Sequence, residues 1–323
     1  MSNVAFPLPP PQQYQAHSLH GMERVWPEMN CYIDVWVEII HALGLNPMAM
    51  LPVVLAIDFD GDQWTFFKPS HEDLFQLYGL DVQELNVWKS LLENTQEQLQ
   101  RGRLVLTEAD AYYLPDTQGT DYRSKHTKTT IGIQSLDLGR KQLNYFHNTG
   151  YFKLEGEDFD KLLRVGLAHD PDHMPFFAEF VRLDRQIKRQ DQELAQISLG
   201  LLQKYRDRCP TQNPIVAFRE RFLQDIETIQ TQGMEFFHAY AFANLRQLGS
   251  ACELAGLSIL WLQKNLPDTT NSFQHQAFLN VSECTKTMLL KMARMVANKR
   301  KVDFTPLLDE MEKSWAAGMD QLS

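Results

Sequence analysis

Asn30-Cys31-Tyr32-Ile33-Asp34-Val35-Trp36-Val37-Glu38-Ile39-Ile40-His41-Ala42-Leu43-Gly44 is the segment that sets the architecture of this chain. Its apolar residues Ile33, Trp36, Val37, Ile40 and Leu43 fall at helical spacing. Asn30 is of a type that caps a helix start through its side-chain oxygen, and Gly44 of a type that ends one. The pattern predicts a helix over 31–43 with Cys31 in its first turn. Residues 1–29 read as an arm leading into that helix, and Phe6 to Gln13 as an extended polyproline stretch.

Beyond the helix, Val53 to Phe59 and Gln63 to Lys68 read as strands joined by the turn Asp60-Gly61. A short helix follows Ser70 and stops at Tyr78-Gly79, and another covers Leu91 to Gln100. Three more strands are predicted over Arg103 to Ala109, His126 to Gln134 and Gln142 to His147. A helix followed by strands with few crossover helices implies an α+β domain, residues 1–150. From 151 to 323 the text turns helical. Phe176, Phe177, Phe180, Leu183, Ile187, Leu194, Ile197 and Leu201 suggest one long helix reaching Leu202. Similar patterns run from Ile215 to Ile229, Met234 to Leu262, Phe273 to Val296 and Phe304 to Trp315, which reads as an all-α helical bundle.

Composition narrows the function classes. The 323 residues suffice for two domains, and 44% hydrophobic with 22% charged content is that of a globular chain. A net charge of −10 argues against general nucleic-acid binding, which needs a basic face. The apolar run Met48 to Ile57 is about half the ~20 residues that span a bilayer, and Pro52 interrupts it. No basic region followed by an apolar core opens the chain, so the expectation is a cytoplasmic protein without a membrane partner. Cys31, Cys209, Cys252 and Cys284 show no C-x-x-C spacing; the last three lie in helical text and are expected to pack as small apolar groups.

Cys31 stands apart because a helix start favours the thiolate, the nucleophilic form of the side chain. A thiolate nucleophile needs an imidazole to relay protons, and His126 opens a strand of small and β-branched residues. One strand and turn later, Tyr145-Phe146-His147-Asn148 offers a group to orient that ring. The order is Cys on a helix, His on a strand, Asn on the next.

Four stretches carry a resemblance. They are Asn30 to Trp36, Gly61-Asp62-Gln63-Trp64-Thr65-Phe66-Phe67-Lys68-Pro69, Asp110-Ala111-Tyr112-Tyr113-Leu114-Pro115-Asp116, and Tyr145-Phe146-His147-Asn148-Thr149-Gly150. Together they resemble the bacterial domain-of-unknown-function 1839 family over nearly the whole chain. More distantly, the N-terminal half is similar to the papain-like N-terminal domain of the butirosin-pathway acyltransferase. The likeness rests on Cys31 at the helix start, on Asp110 to Pro115, and on His126.

That likeness implies a papain-like fold and transfer of an acyl or aminoacyl chain from a carrier-protein thioester to a small amine, or to water if the enzyme is a thioester or amide hydrolase. It implies Cys31 as nucleophile and His126 as base. Asn148 stands where the enzyme group usually has Asp and is taken as the orienting residue, with His147 and Asp137 as alternatives. Asn30 is expected to aid the oxyanion, and Trp26, Tyr112 and Tyr113 to line the substrate pocket. No bound cofactor is implied, the phosphopantetheine arm of the carrier being the acyl donor. Carriers are acidic, so a local basic patch is expected at Arg123, Lys125 and Lys128, with Arg182, Arg185, Lys188 and Arg189 as a second cluster.

Other readings compete. Asp58-Phe59-Asp60-Gly61-Asp62 suggests a Mg²⁺-dependent phosphatase using Asp58 and Asp60, although Asp62 breaks the usual pattern. His17, His20 and Cys31, or His169 and His173, suggest zinc, but neither set has a convincing fourth ligand, and no metal is expected. A third reading is a non-catalytic scaffold in which the helical half binds a partner.

Overall fold

The computed structural model describes residues 3–28, 30–166 and 176–322. His169 and His173 lie outside them. The chain divides into two units, the first built from 1–21, 30–47 and 70–188 and the second from 22–29, 48–69 and 189–323.

The first unit is α+β. Its sheet runs in the order Asp81–Glu84, Ala178–Arg182, Leu104–Asp110, Lys128–Asp137, Gln142–His147, Gly150–Glu155, and every neighbouring pair is antiparallel. The short strand Asn3–Val4 also pairs with Lys128–Asp137. On one face lies the helix Cys31–Ala42, capped by Asn30 as its sequence predicts. Every residue from Tyr32 to Ile40 is buried, so this is a central helix covered on all sides. Gly132 lets it approach the sheet: a Cβ there would sit 3.0 Å from Ile39 Cδ1 and 3.4 Å from Val35 Cγ1. The other face carries an apolar core that includes Leu99, Val105, Ile131, Ile133, Tyr145 and Phe159.

The helix also buries two carboxylates, Asp34 and Glu38, which the N-terminal arm neutralises. His20 Nδ1 meets Glu38 Oε1, and His20 Nε2 lies 3.3 Å from Asp34 Oδ1. Tyr14 donates to Glu38 Oε2 at 2.6 Å. Burial opposes a charge on His20, but the hydrogen bonds to Asp34 and Glu38 outweigh it and raise the imidazole to about 9. His20 therefore belongs to an ionic anchor rather than to a zinc set with His17 and Cys31.

The second unit holds the helices Asp191–Arg206, Pro214–Gln232, Met234–Tyr240, Gln247–Asn265, Pro267–Thr270, His275–Asn298 and Thr305–Asp320. Residues Ala241–Arg246 form a π-helical turn between two of them. Residues 22–28 belong here: Glu253 accepts from Val25 N and Trp26 N and pairs with Arg24.

Four expectations are corrected. Val53 to Phe59 does not form a strand; Pro47–Ala56 is a 3₁₀ helix with Pro52 inside it. The hairpin shrinks to Phe59–Asp60 against Gln63–Trp64, with its turn at Asp60-Gly61 as expected. The long helix from Phe176 to Leu202 is instead the strand Ala178–Arg182, a connection, and the helix Asp191–Arg206. A short apolar run buried on both faces carries no period that separates strand from helix. That strand pairs with two others, so the sheet unit extends to residue 188 rather than ending at 150.

Candidate functional site

Asn30 Oδ1 accepts from Ile33 N at 3.0 Å, which closes the helix cap and makes Cys31 the first helical residue. That oxygen is thus committed to the cap. The Cys31 thiol is half-buried, with Sγ 3.8 Å from Thr130 Oγ1. Thr130 and Gly132 share one face of their strand, the face on which the helix lies. The helix start is thereby fixed over the first residues of Lys128–Asp137.

His126 lies just before the same strand. Its Nδ1–H donates to Asp110 Oδ2 at 2.6 Å, and Asp110 Oδ1 accepts from Tyr112 N at 3.1 Å. Asp110 ends the neighbouring strand in register with Lys128, so ladder geometry brings the carboxylate to the ring. The ring stacks on Tyr112, centroids 4.4 Å apart and planes 13° apart, with Tyr113 edge-on at 6.3 Å. One nitrogen is held by a carboxylate, which leaves Nε2 as the basic nitrogen of the neutral ring. The His126 side chain is 68% exposed, so that nitrogen can meet a substrate.

Asp110, not Asn148, orients His126. Asn148 occupies the tight turn between Gln142–His147 and Gly150–Glu155, at φ 43°. His147 is buried and fully engaged: Nδ1–H donates to Asp116 Oδ2 at 2.5 Å, and Nε2 accepts from Thr129 Oγ1 at 2.8 Å. Asp116 also accepts from the Tyr145 hydroxyl. The other alternative, Asp137, accepts from Arg140 N. No hydrogen bond joins Cys31 to His126; the two meet the same strand end four residues apart.

Trp26 does not line this site, since it is buried in the helical unit with Nε1–H donating to Ser282 Oγ at 3.0 Å. Among the basic residues, Arg123 pairs with Asp158 at 2.5 Å and Lys128 with Glu108 at 3.0 Å, while Lys125 is exposed. Of the second cluster, Arg182 lies on a strand paired with Asp81, and Arg189 pairs with Glu193, so these residues do not share one helix face.

One group was not visible in the sequence. Buried Glu179 accepts from the Tyr32 hydroxyl at 3.0 Å and faces His71 Nε2 at 2.8 Å. Burial first, and then Glu179, hold the Tyr32 phenol well above its ordinary value, so it stays a proton donor. Glu179 lies some 150 residues from Tyr32 in the chain, on a strand that was read as helix, and only sheet pairing brings them together. A second carboxylate-held imidazole thus stands near the first turn of the helix, on the Tyr32 side.

Burial disfavours the thiolate at the remaining cysteines. Burial pushes the Cys209 thiol up to about 12, and burial also raises Cys252 and Cys284. Asp58, of the phosphatase reading, accepts from Phe59 N, and Asp60 sits in the two-residue hairpin strand of the helical unit. No helix of the described residues is long and apolar enough to cross a membrane.

No curated protein matches the chain. The model of the DUF1839 N-terminal domain matches residues 15–183, and that of the DUF1839 C-terminal domain matches residues 191–323. The chain therefore belongs to the DUF1839 family, whose two domains it carries in order.

Proposed function

We propose that the sheet unit performs thiol-based acyl transfer in a papain-like arrangement, with Cys31 as nucleophile and the Asp110-held His126 as acid and base. One observation carries the reading. An imidazole with one nitrogen tied to a carboxylate and the other exposed stands at the strand end on which the Cys31 thiol rests. The donor is an acyl or aminoacyl carrier protein, and the acceptor is a small amine.

In the first half-reaction Cys31 gives its proton to His126 Nε2, directly or through a water, and its sulfur attacks the thioester carbonyl. The Cys31 S–C bond forms, the carrier C–S bond breaks, and the pantetheine thiol leaves with the proton from His126. In the second, the amine attacks acyl-Cys31 and passes a proton to His126 as the C–N bond forms. The Cys31 sulfur leaves and is reprotonated. Asp110 keeps Nε2 the basic nitrogen and stabilises the imidazolium. Thr130 Oγ1, 3.8 Å from Sγ, is placed to donate to the sulfur when it is anionic. The Cys31 backbone N–H, at the first helical position where no intrahelical acceptor is available, supplies the donor to the developing oxyanion. Exposed Lys125 is the basic residue best able to meet an acidic carrier.

Intact-mass analysis after incubation with a panel of acyl- and aminoacyl-loaded carrier proteins tests the reading. The expected result is an adduct of the acyl mass that maps to Cys31 and is absent from Cys31→Ala. An adduct that persists in Cys31→Ala, or no adduct with any loaded carrier, overturns it.

A further inference from the structure

Asp110 holds His126 by one hydrogen bond, and one bond does not fix a ring. The imidazole can still turn about the line from Nδ1 to Oδ2, and its side chain is 68% exposed, so burial alone does not hold it. The direction of Nε2, the nitrogen that takes the Cys31 proton in the proposed transfer, is then left open. Tyr112 supplies the missing restraint. Its ring lies face to face with the imidazole, centroids 4.4 Å apart and planes 13° apart, so it sets the plane of a ring that Asp110 fixes at one point.

Tyr112 is itself held. Its N–H donates to Asp110 Oδ1 at 3.1 Å, and its carbonyl accepts from Arg123 N at 3.1 Å. Tyr113 meets its ring edge-on at 5.0 Å and packs against the core that includes Val105, Ile131 and Tyr145. Arg123 takes φ 56°, a left-handed backbone that costs a non-glycine residue energy, and there the loop returns to Tyr112. Its guanidinium lies 5.9 Å from the Tyr112 ring and 5.5 Å from that of Tyr122, and pairs with buried Asp158 at 2.5 Å. Asp158 also accepts from the Tyr122 hydroxyl at 2.9 Å. Contacts thus run from the core through Tyr113 and Tyr112 to an otherwise exposed imidazole.

We infer that Tyr112 is a positioning residue for His126, fixing the plane of the imidazole and receiving the charge of the imidazolium on its π face. Its consequence for rate rests on the transfer chemistry proposed above. The neutral ring gains only the stacking, whereas the protonated ring gains a cation–π contact as well. The contact therefore favours the state that exists once the Cys31 proton has moved. Arg123, expected to meet an acidic carrier, braces this ring instead.

Three full-length variants test this. Tyr112→Phe keeps the aromatic face, Tyr112→Leu keeps apolar bulk without it, and His126→Ala removes the group acted upon; Tyr112→Met replaces Tyr112→Leu if that variant does not fold. The His126 ring-proton resonances, identified by their loss in His126→Ala, are expected upfield of those of a free imidazole in the wild type and Tyr112→Phe, and to return in Tyr112→Leu. Alkylation of Cys31 at neutral pH is expected to slow about fivefold in Tyr112→Leu and to stay within about twofold of the wild type in Tyr112→Phe. In a His126→Ala background Tyr112→Leu should slow it no further, because Tyr112 acts through the ring. Ring-proton resonances unmoved by Tyr112→Leu overturn the inference, as does Tyr112→Leu reacting as fast as Tyr112→Phe. A further loss in the His126→Ala background overturns it too. If His126→Ala alone leaves Cys31 labelling at the wild-type rate, the transfer chemistry fails, and the ring-proton resonances still decide whether Tyr112 holds the imidazole.

Discussion

Two histidine–aspartate pairs flank the same three strands and have opposite characters. His147 with Asp116 is sealed, its side chain 1% exposed, with both ring nitrogens and both carboxylate oxygens engaged. His126 with Asp110 is open, its side chain 68% exposed, with one nitrogen engaged and the ring laid on Tyr112. The residue types are identical. What separates the two pairs is the uncommitted nitrogen and its access to solvent. An exposed ion pair adds little stability, so the open pair is poorly explained as a fold device.

The largest expected effect on stability therefore belongs to the sealed pair. Asp116→Ala strands the His147 Nδ1–H and the Tyr145 hydroxyl in the core and should cost about 3 kcal/mol. Chemical denaturation checks this. A loss below about 1 kcal/mol would erase the contrast.

The second effect concerns His20, whose folded-state imidazole is raised from 6.5 to about 9 by Asp34 and Glu38 against the opposing pull of burial. A raised value means the folded state holds the proton more tightly, so the stabilisation is full below pH 6.5 and is lost as pH climbs to about 9. The wild type should lose on the order of 2 kcal/mol over that window relative to His20→Gln. Parallel stability–pH curves for the two proteins would remove the ionic anchor.

Much of this was legible in the chain. Asn30 as cap, Cys31 as first helical residue, the Asp60-Gly61 turn and the helices starting after Ser70 and at Leu91 are local signals, and each formed where its residues placed it. Two kinds of feature were not. Ala178–Arg182 pairs with strands about 75 and 100 residues earlier, so its identity depends on partners that no local period reports. The resemblance points downstream, to Asn148, for the group that orients His126. Asp110 is upstream, brought in by the register that sets it opposite Lys128. The Asp110 to Pro115 segment carries the resemblance, but nothing local in it ties its carboxylate to His126.

The third prediction separates those two candidates. Asn148→Gly should leave acyl transfer and stability unchanged, because a glycine accepts the positive φ of that turn, and Asn148→Ala should cost about 1 kcal/mol of stability with transfer intact. Asp110→Asn should leave stability within about 0.5 kcal/mol and slow transfer ~100-fold or more. Transfer lost in Asn148→Gly and kept in Asp110→Asn would reverse the assignment. A comparably small stability change is expected for His126→Ala, within about 0.5 kcal/mol, since the ring is mostly exposed.

The most direct measurement of the central claim is thiol alkylation at neutral pH, followed residue by residue by peptide mapping, in the wild type, His126→Ala and His71→Ala. Cys31 should react first, because burial raises the thiols of Cys209, Cys252 and Cys284. Its rate should fall about tenfold or more in His126→Ala and stay near the wild-type value in His71→Ala. Faster labelling of Cys209 or Cys284, or a Cys31 rate that depends on His71 and ignores His126, would contradict the account.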